Sequence, residues 1–138
     1  MRAAPSELAI ERMNITEYKS NIDILSTIDN MEVYRWLMSL GQKLQNDPLS
    51  EERRTDANRV SRCQYNLFVD KEGGQFKAWS DARIASGYAY ILLDIFNNAE
   101  NPKDITKETF KELDIGNLLT MNRQNGFYQM IAMMRRKA

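Results

Sequence analysis

The stretch "CQYNLFVDKEGGQFKAWS", residues 63–80, has the alternating pattern of β-strands. Its β-favouring residues lie on both sides of "KEGG", whose two glycines suit a turn that requires positive φ. The apolar face of the two strands is predicted to consist of Tyr65, Leu67, Val69, Phe76 and Ala78. The stretch therefore predicts a β-hairpin.

Upstream of the hairpin, apolar residues recur at helical spacing between residues 21 and 44. Asp29 and Asn30 interrupt this pattern where an N-cap would lie, so it predicts a short helix, a break and a longer helix. Residues 45–58 are polar and lack a sustained period, which predicts a surface loop. A third strand is expected from the residues just before Cys63.

Downstream of the hairpin, the sequence predicts several helices. Ser80 and Asp81 are placed to cap a helix whose apolar stripe is Ile84, Tyr88, Ile91, Leu92 and Ile95. Two short helical pieces follow, at about Thr106–Leu113 and Gly116–Met121, before a last helix from about Asn122 to Arg136. Thr120 or Asn122 is expected to cap this last helix.

The order of these elements predicts an α+β fold, with a small antiparallel sheet of about three strands packed against several helices. Residues 1–20 show no clean pattern and are interpreted as an N-terminal lead. Residues 21–138 are predicted to form a single domain, since a chain of 138 residues suits one core.

The composition is that of an ordinary globular protein, with 43% hydrophobic and 28% charged residues. Nineteen basic and nineteen acidic side chains cancel, which argues against binding to nucleic acid or to an anionic membrane surface. The longest apolar stretch, "YAYILLDIF", is far shorter than the ~20 residues that cross a bilayer. With one cysteine and no apolar signal-peptide core, the chain is expected to be cytoplasmic.

The chain contains no histidine, and this excludes much chemistry. Ser–His–Asp and Cys–His hydrolases are impossible, and a zinc site built from Cys and His lacks ligands. An iron–sulfur cluster needs several thiolates, and a dithiol redox motif needs a second cysteine. No metal site is therefore predicted, and the single thiol of Cys63 is the reactive group that remains.

Two interpretations of Cys63 stay open on spacing alone. Free cysteine is commonly a small buried hydrophobe. However, Cys63 lies where a loop becomes a strand, and loops supply functional groups more often than core. The flanking Arg59 and Arg62 would also favour the nucleophilic thiolate.

A family resemblance favours the functional interpretation. "NRVSRCQYNLFV" (58–69) resembles the SufE-family segment N-x-V-x-G-C-x-S-x-V-W, with Asn58, Val60 and Cys63 in register. Three further stretches follow the family's order: "YRWLMSLGQKL" (34–44), "WSDARIASGYAYILL" (79–93) and "LLTMNRQNGFYQMIAMMRRKA" (118–138). Arg62 stands where the family usually has glycine, which adds a charge and restricts the backbone beside the thiol.

The resemblance implies a SufE/IscU-like fold and an accessory sulfur-transfer protein rather than a stand-alone enzyme. Such a protein takes persulfide sulfur from a cysteine desulfurase onto Cys63, stimulates the desulfurase and passes the sulfur to iron–sulfur cluster assembly. The implied partners are a SufS- or CsdA-like desulfurase and a SufBCD-like scaffold complex. Pyridoxal phosphate is expected in the desulfurase, and no cofactor in this chain. The alternative is a regulatory module that binds the desulfurase without carrying sulfur.

Arg123, Asp81 and Gly126 also fall on motifs of the family. Arg123 is expected either near the cysteine loop and the docking surface, where its cation would steady a persulfide, or as a first-turn residue that bonds carbonyls. Asp81 is interpreted mainly as a helix cap, with Arg59 and Arg62 as further supporting or docking residues. Gly126 is expected to permit close helix packing.

Overall fold

The computed structural model describes residues 7–61, 63–113 and 115–138 and confirms the α+β fold. The helices and strands are α1 Glu7–Ile28, α2 Asn30–Leu44, β1 Leu67–Glu72, β2 Gln75–Ser80, α3 Arg83–Asn97, α4 Ile115–Leu118 and α5 Met121–Lys137. Short 3₁₀ turns lie at Glu51–Arg53, Asp56–Asn58, Pro102–Asp104 and Lys107–Leu113. Within these ranges, no helix is both long and apolar enough to cross a membrane.

The predicted hairpin is confirmed. β1 and β2 pair antiparallel from Leu67 opposite Ser80 to Glu72 opposite Gln75. Gly73 and Gly74 form the turn with φ of +66° and +83°, which glycine adopts without a steric penalty. The strand residues that face the core are Leu67, Val69, Phe76 and Ala78.

The third strand is reduced to a single bridge, so the prediction of about three strands is corrected. Among the described residues the sheet has two strands, and Arg59 forms an isolated antiparallel bridge with Phe68. The Val60 amide donates to the Leu67 carbonyl at 2.8 Å. Beyond that bond the chain leaves the sheet edge, because Ser61 turns toward α5 and donates to Gln129 at 3.1 Å.

The core lies where α2 and α3 cover the hairpin. Asp29 caps α2 as predicted, because its carboxylate accepts a hydrogen bond from the Met31 amide at 3.0 Å. The backbones of α2 and α3 approach so closely that a Cβ added to Gly87 would lie 2.1 Å from the Leu37 carbonyl oxygen. Any side chain at position 87 would therefore separate these helices.

Helix α1 is longer than the predicted short helix, since it begins at Glu7 and continues to Ile28. Ile15 and Ile22 are buried seven residues apart on its inner face. The Tyr18 hydroxyl donates to the Asp94 carboxylate of α3 at 2.7 Å. The helix thus runs through the residues interpreted as a lead, while the division of the chain at residue 20 stays a prediction.

A group of paired polar residues, here named the Asp70 cluster (Arg53, Asn58, Asp70 and Lys137), ties the loop before the hairpin to β1 and α5. Arg53 and Lys137 contact the Asp70 carboxylate at 2.8 and 3.3 Å. Asn58 donates to the Arg53 carbonyl at 2.8 Å and accepts from Lys137 at 2.7 Å. The basic end of α5 therefore holds the segment that leads to Cys63, in addition to its favourable place at the helix C-terminus.

Candidate functional site

The cysteine loop, residues 61–66, is held at both ends. The bond from the Val60 amide to the Leu67 carbonyl closes it on one side, and Val60 itself is buried. Asn66 closes it on the other side through two bonds to Asp81. Arg62 lies outside the described residues. Leu67 and Val69 in the strand that follows are buried, which fixes the end of the loop against the core.

Asp81 has a different role from the predicted helix cap. Its carboxylate accepts from the Asn66 amide at 3.1 Å and from the Asn66 side chain at 3.0 Å. The N-cap position of α3 is Ala82, whose amide donates to the Ser80 hydroxyl at 3.1 Å. The cap prediction for Asp81 was wrong because the cysteine loop competes for this carboxylate. Ser80 retains a part in starting the helix.

Cys63 is half-buried, and its sulfur is seated against Gly126 of α5. A Cβ added to Gly126 would lie 3.1 Å from the Cys63 sulfur and 2.6 Å from the Tyr88 hydroxyl oxygen. The absence of a side chain at position 126 therefore lets the thiol and the hydroxyl lie close to α5. Gly126 was expected to permit close helix packing, and its neighbours are a tyrosine of α3 and also the reactive thiol.

Two open grooves flank the cysteine loop. The first, about 510 Å³, is lined by Asp56, Arg59, Val60, Ser61 and Cys63, so the thiol has a route to the surface. The second, about 460 Å³, is lined by Met38, Tyr65, Asp81, Ala82, Arg83, Ile84 and Arg123. The structure thus places Arg59 in the same groove as Cys63, and Arg123 with Asp81 in the neighbouring groove.

Arg123 is half-buried at the start of α5. Its guanidinium lies 5.7 Å from the centre of the Tyr34 ring, within the range of a cation–π interaction. Its charge also reaches Tyr88, where it opposes the rise of the tyrosine pKa. In the same first turn the Gln124 side chain donates to the Leu119 carbonyl at 2.9 Å, and the choice between the two expected roles of Arg123 stays a prediction.

Tyr88 is the site residue that sequence reasoning missed. It was assigned to the apolar stripe of α3, and its ring is indeed fully buried and packs edge-on against Phe127 at 5.5 Å. Its hydroxyl, however, borders the Cys63 sulfur. Burial raises the pKa of Tyr88, and the nearby thiol raises it further, so the hydroxyl stays protonated. The available signal was that a tyrosine in an apolar stripe carries a hydroxyl that requires a partner.

No group of three or more Cys, Asp and Glu side chains that could hold a metal ion occurs in the described ranges. The site therefore consists of a half-buried thiol on a loop held at both ends, a tyrosine hydroxyl beside it and three arginines in the adjoining grooves. These features define the class of a small α+β domain that presents a single reactive cysteine.

Comparisons with known proteins identify the family. The chain belongs to the SufE family, described as an Fe-S metabolism associated domain, which matches residues 19–138. It is 32% identical over 117 residues to an uncharacterized SufE-like protein of Synechocystis, covering 80% of this chain and 72% of that relative. It is 28% identical over 140 residues to an uncharacterized SufE-like protein of Rhizobium etli, covering 93% of each chain. The suspected resemblance is thereby confirmed.

Proposed function

We propose that this chain accepts sulfur as a persulfide on Cys63 from a pyridoxal-phosphate-dependent cysteine desulfurase, stimulates that enzyme and delivers the sulfur to cytoplasmic iron–sulfur cluster assembly. The observation that carries the proposal is the position of Cys63, half-buried in a loop and open to a groove. A carrier has to protect its sulfur from oxidation and still present it to a partner. A half-buried loop thiol meets both requirements.

The transfer step requires one thiol and no imidazole. The Cys63 thiolate attacks the terminal sulfur of the desulfurase persulfide and forms a new S–S bond. The S–S bond of the donor breaks, and the donor thiolate leaves with the electron pair, so no external oxidant or reductant is consumed. The chemistry is that of thiol–disulfide exchange, whose rate depends on thiolate fraction, leaving group and access. Pyridoxal phosphate acts in the desulfurase, and this chain supplies the acceptor.

Four large apolar side chains are exposed and are here named the apolar patch: Ile24, Ile28, Met31 and Met121, which are 59, 69, 51 and 70% exposed. Tyr34, three residues after Met31, donates its hydroxyl to the Leu118 carbonyl, which joins α2 to the end of α4, just before α5. Arg123 stacks on the same ring and lines the groove beside the cysteine loop. We assign the apolar patch to docking of the desulfurase, because exposed apolar side chains favour a protein partner and Met121 lies two residues before Arg123, which lines the groove beside the cysteine loop.

The test is the intact mass of the chain after incubation with a cognate desulfurase and cysteine. The expected product carries one additional sulfur atom, which a reductant removes. Cys63→Ser should gain no sulfur and give no stimulation, while its free energy of unfolding changes by less than about 1 kcal/mol. Undiminished stimulation by Cys63→Ser, with no sulfur on the parent chain, would instead favour the regulatory module that only docks.

A further inference from the structure

The Tyr88 side chain is fully buried, and its hydroxyl has no hydrogen bond of standard geometry to any described residue; burial raises its pKa, and the Cys63 thiol is close enough to raise it further by charge and by hydrogen bonding. Buried hydroxyl groups are almost always hydrogen-bonded, because an unpaired one keeps the cost of losing its water. Tyr88 is also the one side chain in the described ranges with such an orphaned buried atom. Its hydroxyl therefore needs a physical explanation.

The explanation lies in the direction of the hydroxyl. It lies against Gly126, and the sulfur of Cys63 lies against the same residue. Edge-on packing against Phe127 fixes the tyrosine ring, so its hydroxyl has little freedom to turn elsewhere. Because burial and the nearby thiol both raise its pKa, the group remains a donor at physiological pH. What it lacks is a strong acceptor.

We propose that the Tyr88 hydroxyl donates a hydrogen bond to the persulfide on Cys63 and holds the loaded sulfur in its half-buried position. This inference rests on the proposed function. Tyr88 is then a positioning residue for a charged intermediate, and its unpaired hydroxyl gains an acceptor when the persulfide forms.

The persulfide suits this donor better than the free thiol does. A thiol is a weak acceptor, whereas the terminal sulfur of a deprotonated persulfide carries a negative charge. Hydrogen bonds to ionised acceptors are roughly twice as strong as neutral ones. The added sulfur also extends the side chain by about 2 Å, the length of an S–S bond, from a thiol that already lies beside the Tyr88 hydroxyl. Loading therefore supplies the acceptor.

The bond has a functional consequence for the carrier. Discharge occurs when a thiolate attacks the persulfide and the S–S bond breaks, with the Cys63 thiolate leaving. A hydrogen bond that stabilises the persulfide anion raises the barrier to this reaction while the loop stays in place. Movement of the loop toward a partner would break the bond and release the sulfur for transfer.

The experiment compares Tyr88→Phe with Tyr90→Phe, which removes the same hydroxyl from the same helix. Tyr90 lines a different groove together with Lys43 and Asn97, away from the thiol. Each protein is loaded with inorganic polysulfide, and the species with one added sulfur is followed by intact mass during reaction with glutathione. Tyr88→Phe should shorten the persulfide half-life about tenfold, the scale of a charge-assisted hydrogen bond, and Tyr90→Phe should leave it unchanged.

A spectroscopic readout separates this role from a merely structural one. Donation by the hydroxyl shifts the near-ultraviolet absorption of tyrosine to longer wavelength, so loading should produce this shift in the parent chain and in Tyr90→Phe. Tyr88→Phe should lose the shift. Equal half-lives, or an equal shift in all three proteins, would overturn the inference.

Two further outcomes keep the proposals distinguishable. Loading by polysulfide does not involve the desulfurase, so the comparison remains valid if the enzyme fails to load Cys63, an outcome that would overturn the proposed function alone.

Before loading, Tyr88→Phe should unfold at the same or a higher temperature than the parent, because it removes an unpaired buried hydroxyl. A clear fall would show that the hydroxyl already has a structural partner and would contradict the inference.

Discussion

The polar groups near the cysteine loop, which are the Asp70 cluster and the Tyr88 hydroxyl, differ in how completely they are hydrogen-bonded. In the Asp70 cluster, the carboxylate is bonded by Arg53, Asn58 and Lys137, and Asn58 is itself bonded by Lys137. Beside Cys63, the Tyr88 hydroxyl is buried without a hydrogen bond of standard geometry to any described residue, and the absent side chain of Gly126 lets both groups lie against α5. The first arrangement stabilises the native chain, whereas the second leaves the bonding capacity of a buried donor unused.

The electrostatics of Asp70 agree with this structural role. Partial burial alone would raise its pKa, but hydrogen bonds from Arg53, from the Lys71 amide and from Lys137 outweigh burial and lower the pKa below its ordinary value. The charged carboxylate is thus favoured by folding. The polar side chains that hold the segment before the cysteine loop are thus hydrogen-bonded to one another. The Tyr88 hydroxyl, which lies beside the sulfur, keeps an unused donor.

The largest expected effect comes from filling the space beside the thiol. Gly126→Ala would place a Cβ too close to the Cys63 sulfur and the Tyr88 hydroxyl, so the loop should shift outward. Overpacking costs about 1–3 kcal/mol, enough to raise the rate of Cys63 alkylation by iodoacetamide about tenfold or more. Asn125→Ala, at the exposed neighbouring position on α5, should react at the parent rate. Unchanged alkylation in Gly126→Ala would show that the glycine does not seat the thiol.

An intermediate effect, confined to stability, is expected from the Asp70 cluster. Asp70→Asn leaves Arg53 and Lys137 without their carboxylate and should lower the free energy of unfolding by about 1–2 kcal/mol at pH 7. Because the pKa of Asp70 is lower in the folded chain, its contribution is complete above the ordinary value of 3.8 and is lost as pH falls through the folded pKa. The difference between parent and variant, measured by urea unfolding, should therefore close below about pH 4.

The control for this variant is Asp47→Asn, which removes the more exposed ion pair with Lys77, where the Asp47 side chain is 78% exposed. Its cost should stay below about 0.5 kcal/mol. Both variants should accept sulfur as the parent chain does. A loss of sulfur loading in Asp70→Asn would show that the Asp70 cluster also takes part in sulfur transfer and is not purely structural.

The smallest effect on stability is expected on the apolar patch. Met121→Glu changes a side chain that is 70% exposed, so the free energy of unfolding should move by less than about 0.5 kcal/mol. The concentration of this chain that gives half-maximal desulfurase stimulation should rise by about fivefold or more, the loss expected when an interface side chain is replaced by a charge. Met121→Leu should behave like the parent. If Met121→Glu and Met121→Leu gave half-maximal stimulation at the same concentration, the apolar patch would not be part of the docking surface.

Predictions that depended on near neighbours in the sequence were confirmed by the structure. The hairpin followed from alternating strands around two glycines, and the break before α2 followed from Asp29, whose carboxylate bonds an amide two residues ahead. These signals are local, so the sequence carries them without reference to the rest of the chain. The family followed from four motifs in the expected order.

Predictions that depended on competing partners were less successful. Asp81 has the composition and place of a helix cap, but Asn66 offers its carboxylate two donors. The early part of α1 has a weak apolar pattern, and its helix is supported by the burial of Ile15 and by the Tyr18–Asp94 bond. Side chains distant in sequence decided both outcomes.

The sequence by itself determined the hairpin, the helical cover and a lone thiol at a loop-to-strand junction, because these depend on residue type and on spacings of a few residues. Only the tertiary structure brought Cys63, Tyr88 and Gly126 together, from a loop and two separate helices. Their meeting depends on how α3 and α5 pack beneath the cysteine loop. A periodic pattern identifies the buried face of each helix, but the packed fold decides which of its atoms contacts the sulfur.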